Sequence, residues 1–198
     1  MHPLIMRPLT IAVASALPAL VPALAHADEM SYRYFQMGFV DTNSDISRED
    51  ADGIGMRGSF GFAKNFFVFT EASDLQGLGH DNDRNRYAVG LGGHVPVADN
   101  FDVVGRVGWA RAEVDGGEGR ADGDGYVAGA GIRGQAGEHV EFEIGVVHYD
   151  YGNGIDDTGG ELAARWHFNK RLALALEYTE TGDLSTIMAG VRINFGGK

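Results

Sequence analysis

His148 and Asp150 stand two residues apart in Val140-Glu-Phe-Glu-Ile-Gly-Val-Val-His-Tyr-Asp150. In an extended strand that spacing puts an imidazole and a carboxylate on one face. Such a pair can activate a hydroxyl for nucleophilic attack. The nucleophile is missing: no Ser falls at a matching height on the neighbouring predicted strands, and Glu143 has the opposite parity. His80-Asp81 with Asp83 forms a second His–acid group, in a loop, and nothing marks the facing acids a hydrolytic water would need. The run Asp115-Gly-Gly-Glu-Gly-Arg-Ala-Asp-Gly-Asp-Gly125 carries hard oxygen ligands of the kind Ca²⁺ takes. It lacks EF-hand spacing and reads as a solvated acidic loop. With no Cys in 198 residues, thiol catalysis, disulfides and Cys-ligated zinc are excluded. No catalytic residue, resident metal or cofactor is assigned, and no enzyme is expected.

The larger chemical set is electrostatic. Arg57, Arg86, Arg106, Arg133, Arg165 and Arg192 stand against Glu71, Glu141, Glu143, Glu161 and Glu177. Each sits at the polar position of a period-two pattern, which is strand periodicity. Ile54, Met56, Phe60 and Phe62 oppose Gly53, Gly55, Arg57 and Gly61. The same alternation recurs through Tyr87–Val95, Phe101–Trp109, Tyr126–Ile132, Val140–Val146, Leu162–Phe168, Leu172–Tyr178 and Ile187–Phe195. A first strand near Ser31–Asp41 and a third near Phe66–Ser73 bring the count to ten, with eight as the alternative. The third is mixed, because Phe67 and Phe69 share a face with Glu71. No amphipathic helix is expected.

Connections alternate in length. Short turns fall at Lys64-Asn65, Ala98–Asn100, Ala136–His139 and Asn169-Lys170. Longer acidic loops fall near Thr42–Asp50, Gln76–Asp83, Asp115–Asp122 and Gly152–Asp156, and a short one at Thr181–Asp183. The wider loop-end segments Asp41–Asp52, Asp74–Arg84, Arg111–Asp124, Asp150–Asp157 and Glu180–Asp183 carry 18 acids and 4 bases, a charge of −14. The whole chain carries −12, so its acidity belongs to one rim. That balance also excludes a nucleic-acid footprint. Ahead of the strands, Arg7, an apolar run Leu9–Leu24 broken by Pro18 and Pro22, and Ala25-His26-Ala27 form a secretory signal. The reading is 1–27 signal peptide and 28–198 barrel domain.

Alternation does not say which face is outside. Three features favour an apolar exterior. The polar face is rich in glycine, including Gly38, Gly90, Gly92, Gly108, Gly129, Gly131 and Gly190, which suits a crowded narrow interior. Its charges nearly balance, as a water-poor lumen requires. Aromatics flank the apolar face at both ends: Phe62, Phe66, Phe101, Phe142, Trp166, Phe168 and Phe195 near short turns, and Tyr87, Trp109, Tyr126 and Tyr178 near the loops. Two aromatic girdles around an apolar band are the pattern of a membrane barrel. Tyr32, Arg33 and Tyr34 are read as first-strand girdle residues.

The signal, the ten strands and the terminal Val191-Arg-Ile-Asn-Phe195 resemble small outer-membrane β-barrels of the OmpA, OmpX and opacity-protein type. Ser31-Tyr-Arg-Tyr-Phe35 with Gly38-Phe-Val40 is similar to the mature start of a family of small acidic outer-membrane proteins from plant-associated bacteria. The resemblance implies an all-β antiparallel transmembrane barrel in a bacterial outer membrane, non-enzymatic, serving envelope structure or surface interaction. Its partners would be outer-membrane lipid and lipopolysaccharide, the barrel-assembly machinery, and divalent cations at the loops. The alternatives are a narrow ion-conducting pore, a lipid A-modifying enzyme and a soluble periplasmic binding barrel.

Overall fold

Ten alternating segments give ten strands in a computed structural model that describes residues 30–44, 50–77, 83–116, 119–152 and 156–195. The expected signal segment 1–27, His80 and Asp81 lie outside the described residues. The strands are β1 (Tyr34–Ser44), β2 (Ala51–Ala63), β3 (Phe66–Gly77), β4 (Asp83–Ala98), β5 (Phe101–Gly116), β6 (Gly119–Ala136), β7 (Val140–Asp150), β8 (Asp156–His167), β9 (Leu172–Thr181) and β10 (Leu184–Asn194). Each pairs antiparallel with its sequence neighbours, and β1 also pairs with β10, so the sheet closes into a barrel. Closure removes the sheet edge and satisfies the backbone groups of the wall internally, the condition for strands in hydrocarbon. Among the described residues, no helix is long and apolar enough to cross a membrane.

The pleat sorts the side chains. Phe39 is 79% exposed and Phe60 61%, whereas Gln36 and Arg192, on the other face, are 0% exposed. Large apolar groups therefore cover the outer wall while guanidinium and carboxylate groups are packed inside. The distribution is inverted relative to a water-soluble barrel.

Local chemistry sets the details. Pro96 lacks a ladder donor and falls at the irregularity between Pro96 and Ala98, near the end of β4. Gly182, with φ 55°, allows the two-residue turn between β9 and β10. Gly92 faces Phe67 across the lumen wall, and a Cβ there would collide with the Phe67 ring.

The structure corrects two expectations and resolves the mixed third strand. The segment Asp115–Asp122 is not an open loop: pairing between β5 and β6 continues to Gly116 and Gly119. Asp115 and Arg120 are register partners in that extension, and residue types of opposite charge at paired positions favour a ladder. The first strand starts at Tyr34 rather than Ser31 and runs to Ser44. The mixed third strand turns Phe67, Phe69 and Leu75 inward, all buried, so the lumen has an apolar side. Phe67 and Phe69 join Ala88, Val104, Ala110, Val127 and Val147 in one buried cluster.

Candidate functional site

Strand parity carries the charged residues into the lumen, where they meet in layers. In the half nearer the short turns, Glu141 is the hub. Arg133 donates to it twice, at 3.0 and 2.8 Å; Arg165 donates at 2.8 Å and Arg192 at 3.5 Å. His167 Nε2 lies 3.5 Å from the same carboxylate. Arg165 continues to Glu143 at 3.1 Å and Glu177 at 3.2 Å, and Glu177 pairs with Arg57 at 3.1 Å. On the facing wall Arg106 bonds Glu161 at 2.6 Å and lies 3.8 Å from Glu71. Arg86 lines the lumen nearer the loop end, and among the described residues no carboxylate pairs with it.

The segment before β1 enters this lumen. Tyr32 is 8% exposed. Its ring stacks on His94 at 3.9 Å and Phe67 at 5.1 Å, with the Arg133 guanidinium 4.5 Å from its centroid. Its hydroxyl donates to Asp102 at 2.7 Å. Burial pushes the phenol above its ordinary pKa, against the pull of Arg133, so it stays a protonated donor. Tyr34 also points inward, beneath Arg192 at 3.4 Å. The girdle reading of Tyr32 and Tyr34 is therefore corrected: both share the parity of Gln36 and Gly38, the lumen face. Sequence reasoning also passed over Asp102, His94 and His167. Their parity with Arg106, Gly92 and Arg165 was the available signal.

Two cavities lie along the lumen. The outer one, about 730 Å³ with the solvent at its mouth, is lined by Thr42, Arg86, Tyr149, Tyr151, Thr179 and Thr186, among others. The inner one, about 420 Å³ with the open space at its mouth, is lined by Tyr32, Tyr34, Val104 and Arg133, among others. Arg57 and Glu71 border both, so the ion-paired middle of the lumen is the partition between them.

The residues read from the sequence as girdles lie on the outer wall. Phe62, Phe66, Trp166, Phe168 and Phe195 are exposed near the short turns, and Tyr87, Trp109 and Tyr126 near the loops. Phe101 and Phe142 meet edge to face at 5.8 Å over Gly134, which leaves them half-buried. Tyr178, also half-buried, donates to Glu180 at 2.9 Å. His148 is on this wall too. Its ring contacts Tyr126 Oη at 3.3 Å and Thr158 Oγ1 at 2.8 Å. Asp150 accepts from the Gly152 amide instead of joining that group. Among the described residues, no group of three or more His, Asp or Glu side chains could hold a metal ion.

Above the girdle the wall turns acidic. Asp41 lies directly opposite Asp52, and Asp150 opposite Asp156. Glu113 lies opposite Asp122, and there Arg111 bonds both, at 2.8 and 3.1 Å.

Comparison with known proteins places the architecture. A family model described as the outer membrane protein beta-barrel domain matches residues 9–168. Among solved structures, the KdgM porin is 13% identical, with 84% of this chain and 100% of that chain covered and a TM-score of 0.43. Ail, the attachment invasion locus protein of Yersinia pestis, is 13% identical, with coverage of 84% and 100% and a TM-score of 0.38. The translocator domain of the autotransporter NalP from Neisseria meningitidis is 11% identical, with coverage of 90% and 93% and a TM-score of 0.45. No curated protein matches the chain.

Proposed function

The chain belongs to the outer membrane protein beta-barrel domain family, and on that premise we propose that it is a non-enzymatic surface protein whose working part is its acidic outer rim. The supporting observation is the set of carboxylates that face each other across neighbouring strands, just beyond the loop-end aromatics. Like charges directly opposite are unfavourable in a sheet. At Glu113 and Asp122 the protein supplies its own cation, Arg111. At Asp41/Asp52 and Asp150/Asp156 no Lys or Arg bonds either pair among the described residues. A hard divalent cation shared with the phosphates of lipopolysaccharide would take the corresponding place there.

In this reading the short turns face the periplasm and the longer connections the outside. Lipid contacts the apolar band, lipopolysaccharide meets the acidic rim through divalent cations, and the barrel-assembly machinery inserts the chain. The lumen is closed to wide passage by its ion pairs. Catalysis has no support on the outer wall, because the ring of His148 is occupied by Tyr126 and Thr158 rather than oriented by an acid.

Retention of lipopolysaccharide by the purified barrel tests the reading. With Mg²⁺ present, lipopolysaccharide should stay bound, and chelation should release it. Retention indifferent to chelation and to Asp→Asn changes at these pairs would overturn it. A mass change in lipid A on expression would overturn the non-enzymatic assignment.

A further inference from the structure

Residues 30–33 belong to none of the ten strands, yet Met30 and Tyr32 pack inside the barrel, while the Arg33 side chain turns out over the Phe60 ring on the outer wall. Arg133 and Arg192 both donate to the Ser31 carbonyl, at 2.9 and 3.3 Å. Ser59 Oγ donates to the Tyr32 carbonyl at 2.8 Å. Arg33 donates through Nε to the Gly61 carbonyl at 2.9 Å and accepts from the Phe195 amide at 2.7 Å. The Tyr32 ring fills the space between Phe67, His94 and Arg133 at the short-turn end, where it forms part of the inner cavity's wall.

We propose that residues 30–32 are a removable plug hinged at Arg33, and that Tyr32 is the gate between the inner cavity and the short-turn mouth of the barrel. This goes beyond the rim reading and does not depend on it. Two features mark the segment as removable. The strand ladders run from Tyr34 onward, so withdrawal of the segment leaves β1 paired with β2 and β10. Both guanidinium groups that hold Tyr32 and Ser31 also have a second partner. Arg133 keeps Glu141, and Arg192 keeps Asn194 at 3.1 Å and Glu141, while His94 Nδ1 lies 2.9 Å from Asp102. Leaving a buried charge without a partner is the large cost in an ion-paired interior, and for the two guanidinium groups withdrawal avoids it. What is lost is the stacking of Tyr32 on His94 and Phe67, its contact with the Arg133 guanidinium, the phenol hydrogen bond to Asp102, and the three hydrogen bonds that Arg133, Arg192 and Ser59 donate to the Ser31 and Tyr32 carbonyls. The gated passage would suit small solutes, since a second constriction, the Arg57–Glu71 layer, follows it.

The chain has no Cys, so a single introduced thiol reports access cleanly. Val104 is buried and lines the inner cavity, and Val104→Cys places the thiol behind the gate. The folded full chain in detergent micelles is treated with a charged methanethiosulfonate. The Val104→Cys protein should react slowly, and adding Tyr32→Ala should raise the rate at least tenfold. Tyr32→Phe, which keeps the stack and loses the bond to Asp102, should give an intermediate rate. Thr179→Cys, in the outer cavity, should react at one rate with or without Tyr32→Ala. Heat-modifiable gel mobility confirms folding of each variant, and Tyr32→Phe serves if Tyr32→Ala does not fold. Equal Val104→Cys rates with Tyr32 and with its replacement would overturn the proposal. A parallel rise at Thr179→Cys would also overturn it, since it would signal general loosening rather than an opened gate.

Discussion

Arg133 grips Glu141 with two guanidinium nitrogens, Nε at 3.0 Å and Nη2 at 2.8 Å, in a lumen where both side chains are almost wholly buried. The same carboxylate also receives Arg165 and Arg192. One anion thus holds together guanidinium groups from β6, β8 and β10, tying the strands of the inner half of the barrel to one another.

Glu141→Ala leaves those cations with a deficit of negative charge. Breaking a buried pair by removing one partner costs about 3–5 kcal/mol. Urea unfolding of the variant in lipid or detergent should show a loss of that order. Arg86→Gln, at the residue without an ion-pair partner among the described residues, should stay within about 0.5 kcal/mol of the parent.

Overpacking gives an independent check on the apolar side of the lumen. A Cβ at Gly92 meets the Phe67 ring, whereas one at neighbouring Gly93, on the outer wall, comes no closer than 3.4 Å to its surroundings. Gly92→Ala should destabilise by about 1–3 kcal/mol, the usual range for overpacking. Gly93→Ala should change little. Refolding yield, read by gel mobility of unboiled samples, compares the two.

The alternation of polar and apolar positions made the ten strands and the interior charges legible, because a buried wall tolerates no slip in parity. Arg57 and Glu177 could be assigned to one face from sequence. That they would meet each other at 3.1 Å could not, because the contact spans the lumen between β2 and β9 rather than adjacent strands. Tyr32 was misread for a related reason. Its parity was correct for the lumen, but a tyrosine at the start of a strand also suits a membrane interface, and only the position of Phe67, His94 and Asp102 decides between them. The β5–β6 extension was hidden by its composition: Gly and Asp are turn residues by habit, and here the ladder continues through them.

The rim account predicts a charge effect without loss of fold. Asp41→Asn, Asp150→Asn and Asp156→Asn together should leave gel mobility unchanged and abolish the Mg²⁺ dependence of lipopolysaccharide retention. Changing Arg111 to Gln should do the opposite at its own position, making Glu113 and Asp122 an added site of cation dependence.

The central claim is that the apolar face of the barrel meets lipid. The chain has only two tryptophans. Both lie on the outer wall, Trp109 near the loop end, 44% exposed, and Trp166 near the short turns, 52% exposed. Their fluorescence in vesicles containing lipids brominated along the acyl chain reads the orientation of that wall directly, with Trp109→Phe and Trp166→Phe separating the two signals. The account predicts strong quenching of each tryptophan, deepest for bromines near the headgroup. Emission unaffected by brominated lipid, with quenching by iodide in the water instead, would contradict it.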